Sequence, residues 1–199
     1  MAKQEIGDLE QIRQKLEGWL ASRIPNVEDF TLGELNFPEF SGESSVTLIM
    51  QANWQEAGCV RNERFVLRMA PIISQVFETH DLKLQYQLME VMNKEGIPAP
   101  GLVGYEPDSS LLGSDFYVMD FVDGIVPPDN PPMAFGSWVS ELTTEERATM
   151  WHNGLTTMAK IHQIDIRQYD LPSLEESPAD QSPLAHEIAR YEGMRKQGM

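Results

Sequence analysis

The sequence predicts an α+β fold, in which an antiparallel sheet of about five strands carries one helix and is followed by a mostly helical region. Apolar residues first recur with a helical period, then alternate with a period of two after residue 31, and return to the helical period at 81–95. A proline-rich segment follows, and helical patterns dominate after it. The 199 residues are 41% hydrophobic and 23% charged, which is typical of a folded domain or of two small lobes around a cleft.

The strong negative charge limits the partners that the chain can have. Its formal net charge is −16 at pH 7, and a field of that sign repels phosphate backbones and anionic lipid surfaces. We therefore expect neither a nucleic acid nor a membrane as partner. The single cysteine, Cys59, excludes an internal disulfide. The N-terminus lacks an apolar signal-peptide stretch, so a cytoplasmic location is expected.

An amphipathic helix is predicted at the N-terminus, ending near Pro25. Its apolar residues recur at intervals of three and four and are Ile6, Leu9, Ile12, Leu16, Trp19 and Leu20. We expect this helix to cover the sheet through Leu9, Leu16 and Leu20.

Alternating residues predict a strand over 46–54, a turn at Gly58 and a second strand over 63–69. In the second strand, Arg64, Val66 and Arg68 share one face, and Phe65, Leu67 and Met69 share the other.

The helical period over 81–95 predicts a helix that ends at Gly96. Two short strands are then expected at 101–106 and 116–121, joined by a turn at 107–110.

Four prolines in six positions, 127–132, indicate a boundary between lobes, because they suit neither a helix nor a central strand. We therefore divide the chain into residues 1–122 and residues 123–199. Thr143 and Glu146 form a capping box that predicts a helix running to about Ile164. A loop over 172–183 leads into a last helical stretch.

Six short segments in a fixed order support a family resemblance. They are residues 40–47 (FSGESSVT), 65–68 (FVLR), 80–82 (HDL), 96–100 (GIPAP), 113–124 (GSDFYVMDFVDG) and 161–165 (IHQID). In this order they resemble the aminoglycoside phosphotransferase family, a kinase-like group that includes choline kinases. Within it they resemble the branch found as a domain beside acyl-CoA dehydrogenases. The resemblance covers about residues 28–190 and implies a protein-kinase-like N-terminal lobe followed by the first helices of a helical lobe.

The resemblance implies an ATP-dependent transfer of the γ-phosphoryl group to a hydroxyl of a small molecule. Ser41, Gly42 and Ser44 would fold over the phosphates, and Arg68 would hold the α- and β-phosphates. Gln85 stands where the family usually has a glutamate, and we expect it to be half-buried and hydrogen-bonded to Arg68.

The adenine side of this implied site involves the strand at 116–121 and its continuation. Val66 would pack on the adenine ring, and the backbone of Asp120 and Val122 would meet the adenine edge beside Met119. Without the family context, the same residues suit a hairpin turn, a surface arginine, a structural glutamine and a buried strand.

The catalytic loop expected of a kinase-like enzyme, H-x-D-x-x-x-x-N, does not occur in these 199 residues. We therefore expect the chain to end before that loop, to contain no catalytic residue and to be inactive alone. Magnesium is expected only for the full-length enzyme.

A non-catalytic nucleotide-binding or protein-interaction module of the same fold is the alternative function. The sequence does not identify the small molecule that would accept the phosphoryl group.

The helix after Thr143 carries Trp151, Leu155, Met158 and His162 on one face. We expect self-association through this apolar region.

Overall fold

In the computed structural model, residues 7–38, 45–70, 81–127, 132–133, 136–171, 178 and 180–196 are described. The predicted phosphate-turn residues Ser41, Gly42 and Ser44 lie outside them, as do residues 128–131 of the proline-rich segment. The chain divides into two compact units, residues 1–165 and 166–199, and each is described by itself.

Five antiparallel strands form the sheet, which confirms the predicted fold class. They are β1 (Glu28–Leu32), β2 (Val46–Glu56), β3 (Cys59–Met69), β4 (Leu102–Glu106) and β5 (Phe116–Asp120). Their order across the sheet is β1-β2-β3-β5-β4. Two helices, α1 (Leu9–Arg23) and α2 (Leu82–Lys94), pack against this sheet.

Helix α1 covers one face of the sheet. The carboxylate of Asp8 accepts a hydrogen bond from the Glu10 N–H and caps the helix start. Leu16 and Leu20 are fully buried, and the Trp19 ring lies edge-on to Phe116 with 5.0 Å between ring centroids. Leu9, expected in the same contact, is partly buried against this core. The core on this face includes Leu48, Met50, Phe65, Leu67, Met69 and Val118.

Helix α2 lies on the opposite face of the sheet. Asp81 caps its start by accepting from the Leu84 N–H at 2.7 Å, and Gly96 follows its end with a φ of 68°. The Tyr86 ring contacts the Tyr105 and Tyr117 rings at centroid distances of 5.9 and 6.1 Å. These aromatic contacts join the helix to β4 and β5.

Strand β3 begins four residues earlier than the sequence predicts, at Cys59. Its first six residues are all exposed, because β5 pairs only with residues 65–69 of β3. No alternation of buried and exposed residues therefore marks this half of the strand. The turn predicted at 107–110 contains the start of a short helix, α3 (Ser109–Leu112), which Asp108 caps.

Past β5, the first unit contains α4 (Trp138–Glu141) and α5 (Thr144–Ile161). The predicted capping box of α5 is present, since Glu146 N–H donates to Thr143 Oγ1 and Thr143 N–H donates to the Glu146 carboxylate. None of the described residues of α5 is buried, and Trp151 and Leu155 are each 55% exposed.

The second unit contains a 3₁₀ turn at Ile166–Gln168 and helix α6 (Pro183–Lys196). Across the described parts of both units, no helix combines the length and the apolar character needed to cross a membrane.

Burial in the α1 contact predicts a large stability difference between two leucines. Leu16→Ala should lower the free energy of unfolding by about 2–5 kcal/mol, because it leaves a cavity in a fully buried contact. The matched control, Leu155→Ala on exposed α5, should change it by about 0.5 kcal/mol or less. Urea unfolding at low protein concentration measures both values. Equal losses would contradict the assignment of the core to the α1 face.

Candidate nucleotide-binding site

The face of the sheet opposite α1 carries the residues that the sequence predicts for a nucleotide. Arg64, Val66 and Arg68 of β3 point to this side, because Phe65 and Leu67 between them are buried in the α1 core. The side chain of Arg68 lies beside Tyr117 of β5, its direct pairing partner. In the same register Val66 pairs with Met119 of β5, so these two predicted site residues lie side by side on this face.

Arg68 is a half-buried cation, and no acidic side chain among the described residues pairs with it. Its Nη2 donates to Ser45 Oγ at 3.1 Å, and its Nε is buried without a hydrogen-bond partner. No ion pair involves Arg68 in the described chain. A guanidinium has five N–H donors, so most of its hydrogen-bonding capacity is left for a bound anion.

Gln85 of α2 is half-buried on the same side of the sheet, but it does not bind Arg68. Its Oε1 accepts from Tyr117 Oη at 3.4 Å instead. The predicted hydrogen bond between Gln85 and Arg68 is therefore wrong in this structure. Burial raises the pKa of Tyr117, while the nearby charge of Arg68 lowers it. Burial is the larger effect, so the pKa of Tyr117 is raised overall.

An apolar strip lies next to Arg68, toward the start of β3. Val66 is 9% exposed and pairs with Ile49 of β2 and Met119 of β5. Ile49 and Met119 are half-buried, so part of the apolar surface of this strip is accessible to a ligand. This surface suits one face of a flat aromatic ring.

Residues 120–122, at the end of β5, form the segment whose backbone is predicted to meet adenine. The Asp120 N–H donates to the Gly101 carbonyl at 2.8 Å, and the Phe121 N–H donates to the Arg64 carbonyl at 2.9 Å. The N–H of Asp120 is thus used within the protein. The Val122 N–H has no partner in the described chain, and the Val122 side chain is 63% exposed. Of the backbone groups predicted to meet adenine, the Val122 N–H is therefore a donor that no described residue uses.

Sequence reasoning missed a cluster beside this segment. The Arg64 guanidinium carbon lies 4.0 Å from the centroid of the Phe121 ring, and Arg64 forms an ion pair with Asp123. An open cavity of about 520 Å³ is lined by Gln51, Asn62, Glu63, Arg64, Asp120, Phe121 and Asp123. The alternation of β3 placed Arg64 on this face, but only the β3–β5 register shows that Phe121 lies beside it.

Metal ligands do not gather in the described part of the chain. There, no group of three or more His, Cys, Asp and Glu side chains could hold a metal ion. The described residues combine a cation, an apolar strip and the Val122 N–H, a set that suits a phosphorylated aromatic ligand.

Comparison with known proteins identifies the family. The profile described as "Phosphotransferase enzyme family" matches residues 55–196. The chain belongs to this family. The match includes β3 with Arg68, α2 with Gln85 and β5 with Met119 and Asp120.

Curated relatives of this phosphotransferase-family chain include acyl-CoA dehydrogenase family member 11 from two vertebrates. The mouse protein is 24% identical over 79% of the chain, and the chicken protein is 26% identical over 82%. The chain spans only 18% and 19% of the length of these relatives.

A solved structure shares the fold of this phosphotransferase-family chain. It is a Ralstonia eutropha JMP134 protein assigned as an aminoglycoside phosphotransferase, with 22% sequence identity and a TM-score of 0.57. The alignment covers 92% of this chain and 47% of that protein. The sheet with its helices is therefore the kinase-like fold of this group.

The aromatic contacts behind the site predict a loss of stability at alkaline pH. Burial, with a hydrogen bond to Asp115 at 2.9 Å, raises the pKa of Tyr105 from 10.0 to about 12. Below pH 10, Tyr105 is protonated in both the folded and the unfolded chain. Above it, the unfolded chain releases this proton first, so the free energy of unfolding falls as pH rises toward 12.

Tyr105→Phe should remove this part of the alkaline loss, whereas the contributions of Tyr86 and Tyr117 remain. Urea unfolding at about pH 9 and about pH 11.5 measures the difference between the variant and the wild type. If both lose the same free energy between these pH values, the raised pKa of Tyr105 is wrong.

Proposed function

We propose that this chain binds ATP on the sheet face of Arg68, as the nucleotide lobe of an enzyme that transfers the γ-phosphoryl group to a small-molecule hydroxyl. The observation that carries the proposal is Arg68, whose buried Nε lacks a partner and whose charge is not neutralised by a described carboxylate. Leaving such a group buried is costly unless a ligand compensates it. Family membership supplies the reaction class.

Arg68 would bind the α- and β-phosphates, since its fixed charge and planar donor set suit two phosphate oxygens at once. The turn with Ser41, Gly42 and Ser44 would close over the same phosphates, with backbone N–H groups and hydroxyls as donors. The residue that follows this turn in the sequence, Ser45, contacts Arg68 at 3.1 Å, and this contact supports the proposal.

The adenine would lie along the strip of Val66, Ile49 and Met119, next to Arg68. Its hydrogen-bonding edge would face residues 120–122, where the Val122 N–H makes no hydrogen bond to a described residue. Val66 and Met119 are direct partners in the β3–β5 register, so a single ring can cover both.

Phosphoryl transfer also needs a base for the acceptor hydroxyl and metal ions for the phosphates. The motif that supplies both in kinase-like enzymes, H-x-D-x-x-x-x-N, does not occur in the 199 residues. We therefore propose that this chain binds the nucleotide and does not transfer the phosphoryl group alone. Magnesium would enter with the residues that carry that motif in a longer protein.

A non-catalytic nucleotide-binding or interaction module of the same fold is the second candidate function. The sequence of the gene past codon 199 discriminates between the two candidates. An H-x-D-x-x-x-x-N in the same frame supports the transferase, and a stop codon supports the module. We propose a small-molecule acceptor, since the acidic chain tolerates a cationic compound and repels nucleic acid and anionic lipid. We also propose a cytoplasmic location.

Replacing Arg68 tests the phosphate contact. Arg68→Ala should weaken ATP binding by about 1.5–3 kcal/mol, the range for losing hydrogen bonds to a charged group. The ATP affinity of Arg68→Lys should lie between those of Arg68→Ala and the wild type, because lysine keeps the charge but lacks the planar donor set. Gln85→Ala should lower the ATP affinity less than Arg68→Ala does, since Gln85 contacts Tyr117 and not Arg68.

Isothermal titration calorimetry with ATP measures these affinities. The matched control is Arg61→Ala, which removes an arginine from the exposed outer half of the same strand and should leave the affinity unchanged. Absence of ATP binding to the wild type, or an Arg68→Ala variant that binds normally, would contradict the proposed function.

The exposed apolar face of α5 leads us to propose self-association of the chain. Trp151, Leu155 and Met158 lie three and four residues apart and are each close to half exposed or more. Leu155→Asp should therefore shift the chain toward the monomer in sedimentation velocity runs at high concentration. Leu184→Asp on α6, another exposed leucine, is the control and should leave the distribution unchanged. A wild-type chain that stays monomeric would rule this out.

A further inference from the structure

Ser45 occupies a distinct place beside the proposed phosphate contact. It directly precedes β2, whose first residue, Val46, pairs with Met69 at the end of β3. Ser45 is only 6% exposed, which is unusual for a serine at the start of a strand. Its hydroxyl is directed to Arg68, with 3.1 Å between Oγ and Nη2.

Other polar side chains near Arg68 do not hold it. Thr47 is the direct β2 partner of Arg68, but within the described residues its side chain makes no hydrogen bond to the guanidinium. Gln85 binds Tyr117, and no described carboxylate pairs with the guanidinium. Within the described chain, the Ser45 hydroxyl is thus the acceptor that orients Arg68.

We propose that Ser45 is the positioning residue for Arg68, in the place of the acidic partner that α2 lacks. A hydroxyl fixes one nitrogen of the guanidinium but leaves its charge intact, whereas a carboxylate would neutralise it. The remaining donors, including the buried Nε that makes no hydrogen bond to a described residue, would then serve a nucleotide phosphate. The orientation of the cation is thereby set by the start of β2 and not by α2. This inference rests on the proposed ATP binding at Arg68.

The test compares ATP with adenosine, which has the same base and ribose but no phosphates. Ser45→Ala should weaken binding of ATP to the full chain about tenfold and leave adenosine binding unchanged, because the loss passes through Arg68. Ser45→Thr keeps the hydroxyl, so this variant should bind ATP with nearly the affinity of the wild type. Thr47→Val is the matched control, since it removes the neighbouring hydroxyl, and it should bind both ligands normally.

A double variant separates positioning from a general structural role. In the Arg68→Ala background, Ser45→Ala should cause no further loss of ATP affinity, because the cation that it orients is already gone. An undiminished loss in that background, an equal loss for adenosine, or normal ATP binding by Ser45→Ala would overturn the role of Ser45. If Ser45→Ala does not fold, failure of the folded Ser45→Thr variant to bind ATP more tightly than Ser45→Val overturns it.

The two proposals fail in different ways. A wild type that does not bind ATP, or an Arg68→Ala variant that binds it normally, refutes the proposed function and this inference with it. ATP binding that depends on Arg68 but not on Ser45 refutes the positioning role alone.

Discussion

The register of β3 against its two neighbours is the constraint on which the rest of the structure depends. Side chains alternate along a strand, so the same pairing that buries Leu67 against α1 places Arg68 on the other face. A slip of one residue would put the guanidinium into the apolar core and Leu67 into the proposed site. Burying an unpaired charge costs far more than the pairing could return, so the core itself enforces the position of Arg68.

Much of this arrangement could be predicted from the sequence, because it depends on local periodicity. The 3.6-residue period located α1 and α2, and the alternation in 63–69 placed Arg68 and Val66 on one face. The contacts of Arg68 could not be found in this way. They depend on which residues of β2 and β5 lie beside β3, and neither Ser45 nor Tyr117 carries a local signal of that proximity.

The electrostatics of the molecule work at two ranges. The net charge of −16 opposes the approach of any polyanion, including a nucleotide. At physiological ionic strength such fields decay over about 8 Å, so a contact with the phosphates is decided by the groups that touch them. Around Arg68 these described groups are the neutral hydroxyls of Ser45 and Tyr117 and the neutral amide of Gln85. Among the described residues, the charge of Arg68 is therefore not cancelled by its immediate neighbours.

The outer half of β3 pairs with β2 on one side, but on the other side it extends past the end of β5 and has no neighbouring strand in the described chain. An open strand edge offers backbone donors and acceptors to any other extended chain, and this is a common route to aggregation. Here the exposed edge is occupied by Arg61, Asn62, Glu63 and Arg64, whose charges and hydrogen-bonding side chains oppose the docking of a second strand. This half of β3 was not predicted from the sequence because its residues are polar. The same polar residues oppose the addition of a further strand to the β2–β3 hairpin.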